Sequence, residues 1–471
     1  MGSKPGAEGD GRILALDLGT SSVRGMVLER SGAPVPGALA RRRSRLTMGR
    51  DGAGTLDADT YLAQLTDCLD ELCAAGHLHG VDLVVTAAQW HSLVPLDAAG
   101  APLGPTLTWL DTRATPPPDA PGPIDPEAFH QRTGAWWHRL YWTVRLPWVS
   151  RHSGTTPSAY RDLAGYLYGV LLEDAPMSVS LASGTGMLDL VGGRWDAEAG
   201  ELAGVAAARL PTIADPSWRG RLRSEYARRW PDLRAADWTP PTGDGAAASV
   251  AADPDLHRAA VTVGTSTAVR FVQRVPIGAR QPPLPATLWR YRVDHERIVT
   301  GAAYSGGGNL YAWCRRELRL PDDPDLAAAL ATVTPGVGGV QADPRFGGDR
   351  PPGSAPAGSG RLSGISFGTT AVELFGALMY GVCRQVADGL GDIESVLARR
   401  LQVVLGGGAL GRSRWWRQAF VQALAPREVF HIVHPETAAL GAAVLAVGLT
   451  ALPVPCERVA SPGVRPRESA D

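Results

Sequence analysis

Leu16-Asp17-Leu18-Gly19-Thr20-Ser21-Ser22-Val23-Arg24, near the start of the chain, has a counterpart past its middle, Val261-Thr262-Val263-Gly264-Thr265-Ser266-Thr267-Ala268-Val269-Arg270. Each is an apolar run broken by Gly-Thr-Ser. Such a run reads as a strand turning through a glycine, with backbone N–H groups and hydroxyls left pointing at an anion such as a phosphate. Taken singly, either copy is an ordinary hairpin turn, because these residue types favour turns anyway. Two copies with matching flanks imply related halves holding a nucleotide between them. Only the first copy carries a carboxylate, since Thr262 stands where Asp17 does. One half would then hold a metal ion, and the other phosphate oxygens alone. On the residues alone the chain reads as a duplicated phosphotransferase.

Bulk properties agree with small-molecule chemistry. Length alone suggests about three domains, but two larger α/β domains fit as well, and the repeat favours two. With 44% hydrophobic and 20% charged residues, the chain has ample core and leaves only short segments for disorder. Its 46 basic and 47 acidic residues give a formal net charge of −1, so no global field draws it to nucleic acid or to an anionic membrane. Cys68, Cys73, Cys314, Cys383 and Cys456 are odd in number, scattered and without metal-ligand spacing. We therefore expect reduced thiols in a cytoplasmic protein, with no disulfide and no structural zinc. Residues 1–11 lack the apolar segment of a secretory signal, and Gly6 stands where a myristoylation motif needs Ser or Thr. The run Leu440 to Leu452 is too short to span a bilayer and is interrupted by Gly441 and Gly448, so it reads as a buried core helix.

Along the chain, strand and helix alternate. Residues 12–30 read as strand, turn, strand; Tyr61, Leu62, Leu65, Leu69 and Leu72 fall at helical spacing between Asp59 and Ala75; and Val81 to Thr86 is a short strand. This alternation predicts a layered α/β architecture. Thr115-Pro116-Pro117-Pro118-Asp119 is a turn-rich break, and Ala342 to Ser359 reads as a long surface loop. The domain junction falls near Ala251-Ala252-Asp253-Pro254, because the pattern restarts just beyond it. Late in the chain, Leu401 to Leu405 is a buried strand running into Gly406-Gly407-Gly408-Ala409 and then a helix from about Ser413 to Leu424. That arrangement brings backbone and a helix N-terminus close to a flat or anionic ligand.

Together these motifs resemble the FGGY carbohydrate kinases of the actin-like ATPase superfamily, in the family's order and over about residues 12–450. The two Gly-Thr-Ser turns resemble its phosphate motifs, Gly407-Gly408-Ala409 its adenosine motif, and Thr242-Gly243-Asp244-Gly245 the segment with its catalytic aspartate. Thr108-Trp109-Leu110-Asp111-Thr112-Arg113 looks like the substrate element Trp-x-Asp-x-Arg, and Gln89-Trp90-His91-Ser92 like the sugar-contacting strand end. The gluconokinase-like members are the nearest in flavour, through Trp90-His91-Ser92, Leu181 to Gly186 and Ser305 to Asn309. The resemblance implies two ribonuclease-H-like domains closing on an interdomain cleft. Residues 12–253 would bind sugar and 254–451 ATP, with 1–11 and 452–471 as tails. It places the nucleotide at Asp17, Gly19, Thr20, Ser21, Gly264, Thr265, Ser266, Gly308, Gly407, Gly408, Ala409 and Arg412, with Mg2+ at Asp17. The implied partner is a small-molecule sugar, sugar acid or polyol, with no nucleic acid or membrane, and a homodimer is the assembly to test.

Phosphoryl transfer to an alcohol needs an in-line hydroxyl, an orienting carboxylate and cations that screen the triphosphate. Asp244 suits the carboxylate role: its flanking glycines clear space, and a helix starting at Ala246 would keep it ionised through its dipole. Read without the family, Gly-Asp-Gly before an alanine run is equally an N-cap. Asp17, likewise, could be an exposed hairpin-end residue. Thr20, Ser21, Thr265 and Ser266 would donate to phosphate oxygens. For the acceptor, Gln89 and His91 offer hydrogen bonds, Trp90 or Trp109 a face for C–H groups, and Arg113 a fork for the carboxylate of a sugar acid. Two structural readings stay open here: an internal Asp111–Arg113 pair and a structural His91. The chain departs from the family pattern at Tyr380, at Asp349 and at Thr55. Those departures favour a specialised acceptor. The expected activity is ATP-dependent phosphorylation of a primary hydroxyl, with gluconate first and a ketose, polyol or cyclitol as the alternative. A reading of another class is a nucleotide-binding pseudokinase or regulator.

Overall fold

The computed structural model describes residues 11–116, 122–334, 339–348, 358–411, 413–432, 434, 436–449 and 456–459. Arg412, Asp349 with Arg350, Pro117 to Asp119 of the turn-rich break, and most of both tails lie outside the described residues.

The first Gly-Thr-Ser turn joins β1 (Arg12–Leu18) to β2 (Ser22–Glu29) in an antiparallel hairpin that sets Asp17 opposite Arg24. β3 (Pro34–Arg43) pairs antiparallel with β2. Helix α1 (Ala58–Ala74) follows, capped by Asp57, whose carboxylate accepts the Thr60 N–H at 2.7 Å. Its buried Tyr61, Leu65, Cys68, Leu69 and Leu72 recur every three or four residues, the stripe a helix needs to lie on a sheet. The chain returns as β4 (Val81–Ala88), parallel to β1. A long, largely helical excursion that includes α2 (Val179–Gly184) then ends in β5 (Asp237–Trp238) and β6 (Thr242–Gly243), both parallel to β4.

Helix α3 (Asp244–Ala252) starts directly after β6 and leads into the second half, where the arrangement recurs. β7 (Arg258–Val263) and β8 (Thr267–Arg274) flank the second turn, and β9 (Trp289–Arg292) and β10 (Arg297–Tyr304) extend the sheet beyond β8. After α4 (Gly308–Glu317) and the long α5 (Ala371–Leu397), β11 (Gln402–Gly406) pairs parallel to β7. Helix α6 (Arg414–Leu424), β12 (Val429–Ile432), α7 (Thr437–Val447) and β13 (Cys456–Arg458) complete the order β9–β10–β8–β7–β11–β12–β13. The first sheet runs β5–β4–β1–β2–β3. Each sheet thus places its hairpin beside a parallel strand reached through a helix, so the repeat of a few residues is a repeat of topology. The α/β architecture matches the expectation.

The last helix does not stay with its own sheet. Ile13, Ala15, Met26, Leu28, Leu83 and Val85 of the first sheet pack against Ala247 and Ala251 of α3 and against Ala439, Leu440 and Ala443 of α7. These faces are built from small residues, which let the two helices approach closely. One expectation is modified. Ala342, expected in a loop, lies in a strand, because Gln341–Asp343 pairs with Arg361–Ser363 and satisfies backbone groups at the loop's ends. Tyr380 sits within α5, half-buried against the core of the second half. Among the described residues no helix is long and apolar enough to cross a membrane.

A Cβ on Gly441 of α7 would lie 1.7 Å from the Ala247 carbonyl oxygen, whereas one on Gly391 of α5 would meet nothing within 4 Å. Gly441→Ala is therefore expected to lower stability by about 1–3 kcal/mol through overpacking. Gly391→Ala should raise it by up to about 1 kcal/mol through helix propensity. Urea midpoints read both, and an unchanged midpoint for Gly441→Ala would mean that the two helices are not in this close contact.

Candidate active site

The first turn is held from behind. Gly19 N–H donates to the Ser22 carbonyl at 3.1 Å, and the Tyr61 hydroxyl of α1 donates to the Gly19 carbonyl at 2.8 Å. Hairpin register places Arg24 beside Asp17, and its Nη1 reaches Asp17 Oδ2 at 3.1 Å and Glu436 Oε2 at 2.6 Å. Glu436 immediately precedes α7, so one guanidinium joins the first hairpin to the last helix. Burial is the largest influence on Asp17 and pushes its pKa up to about 7, against the opposing pull of Arg24.

In the second turn Gly264 N–H donates to the Ser266 carbonyl at 3.0 Å, while Gly308 N–H, at the start of α4, donates to the Gly264 carbonyl at 2.7 Å. Gly308 thus braces the turn: a Cβ there would lie 2.7 Å from the Gly264 carbonyl oxygen. A Cβ on Gly264 would meet nothing nearer than 3.9 Å, and one on Gly408 nothing within 4 Å, so both leave open space at the cleft. Gly407 adopts φ +100°, a left-handed conformation that favours glycine, with Val263 packed against it. Ala409 follows in the short helical turn Gly408–Gly411.

Asp244 opens α3, and the loop before it is fastened by α2. Ser180 Oγ accepts the Gly243 N–H at 3.0 Å, and the Ser180 carbonyl accepts Trp90 Nε1 at 3.0 Å. The Trp90 ring fills the space beside three glycines, where a Cβ on Gly243, Gly184 or Gly245 would lie 2.0, 2.4 or 2.9 Å from the indole. Trp90 is only 7% exposed and packs edge-on against Trp289 and Tyr291. It forms the floor under the Asp244 loop, which leaves Trp109 as the aromatic face toward the cleft. The expectation that a helix dipole keeps Asp244 ionised needs correction. Burial dominates and raises its pKa, while Arg270 and the Gly245 N–H oppose the rise.

The acceptor candidates divide. Trp109 Nε1 donates to Thr20 Oγ1 at 3.0 Å, and Thr20 Oγ1 donates to Gln89 Oε1 at 3.0 Å. Thr20 therefore spends its proton on Gln89 rather than keeping it for a phosphate. Gln89 is 2% exposed, and its Nε2 has no partner among the described residues. His91 has φ +65°, an uncommon conformation for a side-chain-bearing residue, and its Nδ1 lies 2.6 Å from the Gly184 carbonyl. Asp111 is enclosed by Arg113 Nη2 at 2.7 Å and the Gly54 N–H at 3.1 Å, while the Arg113 guanidinium sits 5.1 Å over the Trp148 ring. Of the two readings left open for Asp111 and Arg113, the geometry is that of an internal pair.

Asp17, Ser21, Trp109, Asp244, both glycine turns and Gly407–Gly408 line one cavity of about 960 Å3. A second, of about 230 Å3, shares Trp109, Leu110, Thr265 and Ser266 with it. Two carboxyls lining one cavity, Asp17 buried and Asp244 half-buried, fit a hard divalent cation that takes one or two carboxylates plus water and phosphate oxygens. Sequence reasoning did not single out Arg24 and Arg270, although an arginine closes both quoted stretches. Ser180 and Glu436 carried no signal, since they act on segments distant in sequence.

Residues 12–230 match the N-terminal-domain model of the FGGY family of carbohydrate kinases, and residues 259–448 match its C-terminal-domain model. The gluconokinase of Bacillus subtilis is 24% identical over 390 residues, 79% of this chain and 74% of that protein. The xylulose kinase of Klebsiella pneumoniae is 26% identical over 414 residues, 86% of this chain and 83% of its own. Among solved structures, a gluconate kinase from Lactobacillus acidophilus superposes with a TM-score of 0.82 at 20% identity, covering 96% of this chain and 93% of that one.

A carboxyl whose pKa rises from 3.8 to about 7 on folding binds more protons in the native than in the unfolded state between those values. Stability without nucleotide or metal should therefore fall as pH rises from about 4 to 7, with the full cost above 7. Asp17→Asn removes this cost. It should be more stable than wild type at pH 8, by at most roughly 4 kcal/mol, with the difference vanishing near pH 4. Urea unfolding across that range tests the point, and parallel curves for the two proteins would contradict the burial of Asp17.

Proposed function

This chain belongs to the FGGY family of carbohydrate kinases, which phosphorylate alcohol acceptors, and on that premise we propose that it transfers the γ-phosphate of ATP to a primary hydroxyl of a sugar or sugar acid, with Asp244 as the base. The observation that carries this reading is the place of Asp244, half-buried at the head of α3 in the cavity that both Gly-Thr-Ser turns line. Residues 12–253 present the acceptor and 254–451 the nucleotide, in a cytoplasmic enzyme.

Asp244 accepts the hydroxyl proton as the acceptor oxygen attacks in line. Its raised proton affinity makes it the stronger base, and Arg270 keeps the ionised form accessible. Backbone N–H groups of both turns, with Ser21, Thr265 and Ser266, hold phosphate oxygens, while Gly407–Gly408 and Ala409 leave room for the adenosine. Asp17, with water and phosphates, would hold Mg2+, which screens the triphosphate charge. Arg24 fixes the Asp17 carboxylate in place. Gluconate is the first acceptor to test, with a ketose, polyol or cyclitol as the alternative, since relatives named for gluconate and for xylulose align over most of the chain.

ADP release from Mg-ATP is measured across gluconate, ketoses, polyols and cyclitols, with Asp244→Asn alongside. We expect acceptor-stimulated release in the wild type and a loss of about 10²–10⁴-fold in kcat for the variant, with ATP affinity retained. Full turnover by Asp244→Asn would remove Asp244 from the base role. ATP binding with no stimulation by any acceptor would point instead to a nucleotide-binding regulator.

A further inference from the structure

The smaller cavity lies where the halves meet, between Trp109–Thr112 and His138–Leu140 on one side and Thr265–Ser266, Ser305 and Asn309 on the other. At about 230 Å3 it falls below the roughly 300–1,000 Å3 of drug-sized sites, which suits an acceptor of a few carbons. Its Trp109 wall is bonded to Thr20 of the first phosphate turn, so the cavity is tied to the place where the phosphate would sit.

The charges facing this space are unequal. Asp111 lines it, but its carboxylate is fully buried and engaged by Arg113 and the Gly54 N–H. Arg139 lines it too, half-buried, and its guanidinium makes no hydrogen bond or ion pair among the described residues. Its backbone is well held: buried Arg145 donates to the carbonyls of Arg139 at 3.0 Å, Thr108 at 2.8 Å and Asp111 at 3.0 Å. One buried arginine thus rivets the Trp109–Asp111 segment to the stretch that carries Arg139.

We infer that Arg139 determines acceptor specificity, and that the acceptor carries a carboxylate away from the hydroxyl that is phosphorylated. This rests on the kinase reading above. A half-buried guanidinium loses further solvation when a ligand fills the cavity it lines, and a planar oxyanion offsets that loss through a forked pair of hydrogen bonds. A neutral polyol of the same length leaves the cation unpaired. Arg113, which sequence reasoning offered for this task beside an internal pair with Asp111, is already closed by Asp111.

The test compares kcat/KM for acid and polyol pairs matched in length, gluconate with glucitol, xylonate with xylitol and glycerate with glycerol, with glycerol 3-phosphate, which keeps one free primary hydroxyl, as the phosphate-bearing arm. Wild type, Arg139→Gln and Arg139→Lys are measured, and gluconate, xylonate and glycerate binding to the nucleotide-free protein is followed by calorimetry. We expect the wild type to prefer one of the acids, the acid-to-polyol ratio to fall about 10- to 100-fold in Arg139→Gln, and Arg139→Lys to restore part of it. An unchanged ratio in Arg139→Gln, a wild-type preference for the polyols, or selective use of glycerol 3-phosphate overturns the inference while leaving the kinase reading intact. Acid binding that depends on Arg139, without ADP release from any acceptor, keeps the anion site and removes the kinase reading. No acid binding and no ADP release removes both.

Discussion

A single half-buried guanidinium ties the two halves of the molecule together at the point where their chemistry must meet. Arg24 is placed by hairpin register opposite Asp17, and it also reaches Glu436, more than four hundred residues away at the head of α7. Holding one cation between two carboxylates gives little net stability, because desolvation offsets most of the attraction, but losing Arg24 would leave two carboxylates side by side without a counter-charge. We see the value of this contact in registry. It orients the carboxyl at the end of β1 and fixes where the last helix begins, so that the turn and the crossing helices share one geometry.

That crossing is closed by packing of small side chains. Ala247 and Ala251 of α3 meet Ala439, Ala443 and Gly441 of α7 against the face of the first sheet. The chain leaves the first half along α3 and returns to it along α7, so two helices join the halves at the base of the cleft. Asp244 opens the outgoing helix and Glu436 precedes the returning one. A displacement of either helix would therefore be felt at both acids.

The surroundings of Asp244 show how one aromatic residue shapes a site without facing the ligand. The Trp90 indole occupies the volume that side chains at Gly184, Gly243 and Gly245 would need, and its N–H is anchored on Ser180. The two glycines around Asp244 are thus explained by an indole beneath the loop as much as by access for a substrate above it. In the same way, Thr20 has the composition of a phosphate donor but takes part in a bridge between Trp109 and Gln89.

Sequence alone determined what depends on local pattern: the two Gly-Thr-Ser turns, the strands that feed them, the helical stripe of α1, the glycine turn after β11 and the duplicated α/β architecture. Turn chemistry and hydrophobic period are encoded within a few residues, so these features were legible without partners. The tertiary structure alone decided which side chains are already engaged. It closed Arg113 on Asp111, seated Trp90 in the core, paired Thr20 with Gln89, raised the proton affinity of Asp244 where a helix dipole had suggested the opposite, and sent α7 back to the first sheet. Each outcome depends on groups tens to hundreds of residues apart, and on burial that no short window of sequence specifies. Hydrogen-bond partners and desolvation are properties of the packed chain, and the fine geometry of the site followed from them.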